Sequence, residues 1–268
     1  MPPYIIIEKA VGETPLSATE AWRANHPELA NAPLSYAGRL DPMASGKLLI
    51  LIGEECKRQT EYHNLDKAYE FSILFGITSD TADVLGRLET VSTVPVIDIP
   101  SLQKLCDDMQ GSITLPYPQF SAKTVNGKPL HMWTLEGKLD EIAIPTRTST
   151  IYSLTVNNLE TMSREVVVKT ALENINSIPP VTDPRKALGE DFRRGPIRED
   201  WNKVLHNNEL PETYQVAHLT CIASSGTYMR TLATVLAEQL QTIGLAYRIH
   251  RTTIGVYHQE THSWGTQY

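Results

Sequence analysis

The run Lys47-Leu48-Leu49-Ile50-Leu51-Ile52, entered directly from Gly46, constrains this chain more than any other feature. Five consecutive apolar residues are too few to span a bilayer, and no polar position breaks the run to give a solvent-facing side. Such a segment fits a strand buried on both faces, so the chain must build a sheet with material covering it on either side. With 268 residues, 41% of them hydrophobic, it has enough to do so as one large domain. Residues 67–75 add a second strand, with Tyr69, Phe71, Ile73 and Phe75 on one face and Ala68, Glu70 and Ser72 on the other. Residues 164–170 and 215–223 read as further strands.

Helical signals fall between these runs. Thr14-Pro15 pairs an N-cap residue with a proline at the first helical position, opening a helix through Trp22. Residues 54–63 read as a polar helix. Ser101 is the expected cap of a helix presenting Leu102, Leu105 and Met109, closed by Gly111. After the turn Ser224-Ser225-Gly226, Met229, Leu232, Leu236 and Leu240 share one helical face. Strands and helices mix without regular βαβ alternation, so the expected class is α+β. Residues 174–212 are proline-rich, charge-dense and poor in apolar period. They are expected to form an insertion outside the core of a single domain over residues 1–268, with one short helix near 199–206.

Several function classes are excluded or unsupported. Three cysteines, far apart and without CxxC spacing, give no disulfide framework and no zinc site. There is no HExxH, GxGxxG or GxxxxGK[ST] sequence, so the expectation is no metal and no cofactor. No signal peptide or membrane segment is visible, which points to a cytoplasmic protein. The balance of 24 basic against 31 acidic residues, net −7, argues against a polyanionic partner unless basic charge is concentrated locally.

The segment Gly38-Arg39-Leu40-Asp41-Pro42-Met43-Ala44-Ser45-Gly46 places an aspartate between glycines, ahead of a proline and a buried strand. Taken alone, this is turn chemistry as readily as a site. Five further blocks occur with it in order. They are Lys67-Ala68-Tyr69; Gly76 to Gly86 with Asp80, Thr81 and Asp83; Pro118 to Leu130 with Ser121, Ala122 and Lys123; Ser225-Gly226-Thr227-Tyr228-Met229-Arg230; and Ile249-His250-Arg251-Thr252-Thr253-Ile254-Gly255. Together they resemble the signature blocks of the TruB family of pseudouridine synthases, from G-x-L-D-P-x-A-T/S-G to L-R-R-T-x-x-G, over nearly the whole chain.

The resemblance implies a pseudouridine synthase fold, with a mixed, mostly antiparallel central sheet flanked by helices. It implies an enzyme that isomerises a flipped-out uridine in RNA, the T-loop uridine of tRNA (position 55) being the expected target. A tRNA stem-loop would then be the partner, with no membrane and no obligate protein partner. Asp41 would be catalytic, and Arg230 would pair with it and hold it ionised. Tyr69, Tyr228 and Ile249 would line the uracil pocket, and Lys67 would belong to the substrate site. By residue pattern alone, Tyr69, sharing a face with Phe71, Ile73 and Phe75, reads as core, and so does Ile249. Lys57, Arg58, Lys67, Lys123, Arg248 and Arg251 are candidates for phosphate contacts. Tyr36, in Ser35-Tyr36-Ala37-Gly38, stands where the family carries a histidine, and is expected at the RNA-facing rim. The N-terminal pattern keeps only Lys9 and Gly12, and no C-terminal PUA domain is expected. Two other readings stay open: a non-catalytic RNA-binding or RNA-folding protein derived from the family, and a glycoside-type hydrolase using Asp80 or Asp83 as a second carboxylate.

Overall fold

The computed structural model describes residues 2–181 and 191–268. In chain order these residues form β1 (Tyr4–Lys9), α1 (Pro15–Ala24), β2 (Leu34–Ala37), β3 (Ala44–Ile52), α2 (Gln59–His63), β4 (Asp66–Phe75), β5 (Ile77–Ser79) and β6 (Leu88–Thr90). Then come α3 (Ile99–Asp108), β7 (Gly111–Pro116), β8 (Thr124–Val125), β9 (Lys128–Pro129), α4 (Leu130–Leu135), β10 (Thr146–Ser163) and α5 (Arg164–Ser177). The chain continues through α6 (Arg194–His206), β11 (Thr213–Ala223), α7 (Met229–Gln239), β12 (Gly244–His258) and β13 (Ser263–Gln267).

Nine strands make the main sheet, in the order β1-β3-β12-β4-β11-β10-β7, with β2 on β3 and β13 on β12. Every pairing is antiparallel except β3 with β12, which run parallel through Ala44↔Ile249, Ser45↔His250 and Gly46↔Arg251. The architecture is therefore α+β with a mostly antiparallel central sheet. Leu48 to Leu51 of β3 are wholly buried, as the uninterrupted apolar run requires. In β4, Leu74 as well as Ile73 and Phe75 is fully buried. The strand lies centrally between β12 and β11, and burial of three consecutive residues shows that its far end is covered on both faces. No helix among the described residues is long and apolar enough to cross a membrane.

Three sequence expectations are corrected. Residues 164–170 are the first half of α5 rather than a strand. The strand ends at Ser163, whose Oγ accepts the Val166 N–H and caps the helix, and Val167, Val168, Ala171 and Ile175 are buried at helical spacing. The cap of α3 is Asp98, not Ser101: its carboxylate accepts both the N–H and the Oγ–H of Ser101, at 2.8 and 2.9 Å.

The third correction concerns residues 174–212, whose described part does not lie outside the core. Ile197, Trp201 and Val204, spaced four and three apart, are buried in the main core cluster, and the Trp201 indole N–H donates to the Val84 carbonyl at 3.1 Å. The helix is also longer than expected, running over Arg194–His206, and it packs along α5. Arg87 donates twice to Asp200, at 2.5 and 3.2 Å, tying α6 to the turn before β6. Of the basic cluster in this segment, Arg185 and Lys186 lie outside the described residues. Arg193 pairs with Asp80, Arg194 with Asp191, and Arg198 donates to the Asn176 side chain.

This packing carries a stability consequence. Trp201→Ala should lower the unfolding free energy by about 3–5 kcal/mol, the range for emptying a buried aromatic site. Urea titration followed by far-ultraviolet circular dichroism measures it, and a loss under about 1 kcal/mol would return α6 to the periphery.

Candidate active site

The turn between β2 and β3 carries Asp41. The Ala44 N–H closes it on the Asp41 carbonyl at 3.0 Å, and the Gly12 N–H donates to the Pro42 carbonyl at 2.9 Å. Arg251 of β12, only 1% exposed, ties both limbs of the turn. Its Nε donates to the Lys47 carbonyl at 2.8 Å, Nη2 to Gly38 at 3.1 Å and Nη1 to Arg39 at 3.4 Å. Gly46 has to be glycine here: φ is +110°, and a Cβ would overlap the backbone of Arg251 in the parallel pairing.

Arg230, in the first turn of α7, approaches the other side of Asp41. Nε donates to Oδ2 at 2.7 Å and Nη2 to Oδ1 at 3.2 Å, a bidentate clamp. The remaining donors are taken by the Thr81 carbonyl at 2.8 Å and the Phe120 carbonyl at 3.3 Å. The Arg230 side chain is 6% exposed and the Asp41 side chain 40%. The carboxylate is thus fixed from behind and open in front.

A second carboxylate stands behind the clamp. Asp83 Oδ2 lies 3.8 Å from Arg230 Nε, while Oδ1 accepts the Thr81 hydroxyl at 2.6 Å and the Leu85 N–H at 2.9 Å. Burial pushes its carboxyl up to about 6, against the pull of Arg230. Asp83 is sealed in the wall rather than presented as a partner to Asp41, so the geometry does not supply the two facing carboxylates a glycoside hydrolase needs.

In front of Asp41 opens a cavity of about 970 Å³. Tyr69, Tyr228, Ile249 and Lys67 all line it, as the sequence reading expects. Burial holds the Tyr69 phenol above its ordinary value, with Arg251 beside its hydroxyl counteracting. The Tyr228 ring rests on Tyr117, with centroids 5.5 Å apart, and burial likewise raises its phenol. Lys67 is 5% exposed and donates to the His63 and Leu65 carbonyls. Burial, reinforced by Arg251, brings its ammonium down to about 8.

Tyr36 is not brought to the cavity. It lies half-buried on β2 opposite Ile50, and its carbonyl accepts the Gln59 side chain. Of the phosphate candidates, Lys57 and Arg58 are held by Glu54, Glu55 and Glu61, and Arg251 is internal. Arg248 lines a separate small cavity, which leaves Lys123 exposed at the main one. Sequence reasoning missed Arg39 and Arg147, which also line the main cavity, as does Arg194 of the charge-dense segment 174–212. Arg39 is the variable position of the Gly38 to Gly46 block, and Arg147 sits in no motif. The lining holds seven cationic side chains against the carboxylates of Asp41 and Asp83, in a chain of net charge −7.

Asp83 makes the stability of the protein depend on pH with a defined sign. Its carboxyl stands near 3.8 when unfolded and about 6 when folded, so between these values the native state holds more protons. Stability from this group is present in full at low pH and is lost as pH rises through 6. Asp83→Asn removes the effect. The wild-type unfolding free energy should therefore fall relative to that of the variant by about 2 kcal/mol from pH 4 to pH 7, read by urea titration across that range. A difference flat in pH would show that Asp83 ionises as in solvent.

Comparison with known proteins agrees with this arrangement. The family described as "TruB family pseudouridylate synthase (N terminal domain)" matches residues 29–174, more than half of the chain. The tRNA pseudouridine synthase B of Caldicellulosiruptor saccharolyticus is 27% identical over 94% of this chain and 67% of its own length. That of Caldanaerobacter subterraneus is 34% identical over 45% of this chain and 42% of its own. The tRNA pseudouridine synthase 4 of Saccharomyces cerevisiae is 33% identical over 48% and 32%. The chain thus spans about two thirds of the first of these relatives and less than half of the other two. Among solved structures, a Cbf5-Nop10-Gar1 complex matches with a TM-score of 0.54 at 14% identity, over 94% of this chain and 48% of the matched one. The archaeal Nop10-Cbf5 complex matches with a TM-score of 0.51 at 12% identity, over 94% and 47%. With the family match covering residues 29–174 and the turn of Asp41 inside it, this chain belongs to the TruB family of pseudouridylate synthases.

Proposed function

We propose that the protein isomerises a uridine in RNA to pseudouridine, that Asp41 is the catalytic residue, and that the target is the T-loop uridine of tRNA (position 55). One observation carries this reading: an aspartate clamped in bidentate fashion by a buried arginine, open on its other side to a tyrosine-walled, net-cationic cavity. The relatives named tRNA pseudouridine synthase support the substrate class.

The chemistry requires that the bond from N1 of uracil to C1′ of the sugar break and that a bond from C5 to C1′ form. The proton lost from C5 is balanced by the one gained at N1. No redox partner or leaving group is needed, so the site has only to hold the base, start the reaction at the sugar and move protons. Asp41 starts it with its open face, oriented by Arg230. The cavity encloses the detached uracil while it turns. Tyr69, neutral in the resting site because it is buried, stands where it can serve proton transfer at C5. Reaching such a cavity requires the nucleotide to leave its stack. The cationic lining offers the phosphates a local attraction that the net charge of the chain conceals.

Incubating the protein with an unmodified tRNA pool and mapping pseudouridine tests both activity and position. Asp41→Asn should reduce product formation by at least about 10³-fold while keeping RNA affinity within a few-fold. Turnover by Asp41→Asn, with deamidation excluded by mass spectrometry, would overturn the assignment. Binding without product in the unaltered protein would leave an RNA-binding protein in place of the enzyme.

A further inference from the structure

Arg147 is a cavity residue that the mechanism above does not use. It enters from β10, opposite Leu115 of β7, and its guanidinium lies across Gly226 in the loop before α7. At Gly226 φ is +92°, and a Cβ there would overlap the guanidinium, so the glycine makes room for the arginine. Nη2 donates to the Ser225 carbonyl at 3.1 Å, while Nε is buried and donates to nothing. Among the described residues no carboxylate lies within ion-pairing distance of it.

This state differs from that of the buried arginines of the cavity, Arg147 itself being half-buried with only its Nε sealed from solvent. Arg230 is engaged at all three nitrogens by Asp41 and two carbonyls, Arg251 at all three nitrogens by three carbonyls, and Arg194 is paired with Asp191. Arg147 keeps an unfilled donor and an uncompensated charge. It also adds to, rather than relieves, the positive field on its neighbours, because Lys67 feels it as a like charge. Leaving a buried guanidinium N–H unpaired costs free energy that an anion arriving from the cavity would recover. The fork of a guanidinium matches two oxygens of a phosphate in bidentate geometry.

We propose that Arg147 is a substrate-positioning residue that clamps a phosphodiester adjacent to the nucleotide held at Asp41, with Gly226 as its seat. The proposal rests on the isomerase reading only for the nature of the polyanion. The anchor point is separate from the reacting atoms: Arg147 fixes the backbone, and Asp41 acts on the sugar.

The experiment uses the full chain and a T-stem-loop RNA, either all-phosphate or carrying one neutral methylphosphonate linkage immediately 5′ or 3′ of the target uridine. Arg147→Gln should weaken binding of the all-phosphate RNA on the order of tenfold and lower the salt slope by about one. Arg147→Lys, which keeps the charge but not the fork, should recover part of that loss. For the unaltered protein, one of the two methylphosphonate RNAs should reproduce the loss, and the same RNA should cost Arg147→Gln nothing more. In turnover, the defect should appear in KM more than in kcat. Gly226→Ala, which displaces the guanidinium without removing it, should bind like Arg147→Gln. Additive losses from the variant and from both modified linkages would overturn the clamp, as would unchanged affinity. If methylphosphonate sensitivity depends on Arg147 but no pseudouridine forms, the clamp stands and the isomerase reading falls. If pseudouridine forms but the linkage effect is independent of Arg147, the clamp alone falls.

Discussion

A single guanidinium, that of Arg251, holds the geometry on which the site depends. It is almost fully buried and meets no carboxylate among the described residues, so its charge is offset by the dipoles of the Gly38, Arg39 and Lys47 carbonyls and by the nearby Tyr69 hydroxyl. Moving the Asp41 turn would strip hydrogen bonds from a buried cation, and that penalty keeps the turn still. Arg230 can then meet the Asp41 carboxylate with both prongs, because the carboxylate is already in place. Orientation is set by the protein's own hydrogen bonds.

The placement of charge explains how an acidic chain carries a cationic cavity. Outside it, basic residues are spent on nearby carboxylates, as in Lys57 with Glu54, Arg58 with Glu61, Arg87 with Asp200 and Arg193 with Asp80. Inside it, seven basic residues stand against the carboxylates of Asp41 and Asp83, and of the seven Arg194 has a further partner in Asp191. Field at a concave wall is set by the groups lining it, and net charge reports their sum with everything else. That is why the value of −7 argued against a polyanion and the cavity argues for one.

Much of this was legible before any coordinates. The apolar run after Gly46 forms β3, the alternation from Tyr69 to Phe75 lies in β4, and the stripe from Met229 to Leu236 buries α7. The ordered blocks brought Asp41, Arg230, Tyr69, Tyr228, Ile249 and Lys67 together, and they do line one cavity. The misreadings have physical causes. Three consecutive valines, Val166 to Val168, favour a strand locally, but the Ser163 cap and helical-period burial through Ile175 win. The buried stripe of α6 is three residues wide within a charged helix, so composition hides it. Tyr36 follows from counting back from Asp41, whereas the β2 register sets it against Ile50 and away from the cavity. Arg147 stands in a Thr/Ser-rich strand with no spacing to mark it, and only the fold brings it onto Gly226.

The parallel pairing of β3 with β12 joins residues about two hundred positions apart, Ser45 bonding His250 across a separation of 205. The parts of the site are scattered in the same way, over positions 41, 69, 81–83, 230 and 251. None of these contacts can form by local collapse, and each requires a long loop to close first. The Asp41 turn therefore has no fixed shape until β12 has been made and inserted between β3 and β4. On a ribosome, the Asp41 turn would be made about two hundred residues before Arg251 and stay unorganised over that interval. The shape of the turn then arrives in one step, when Arg251 enters its ring of carbonyls.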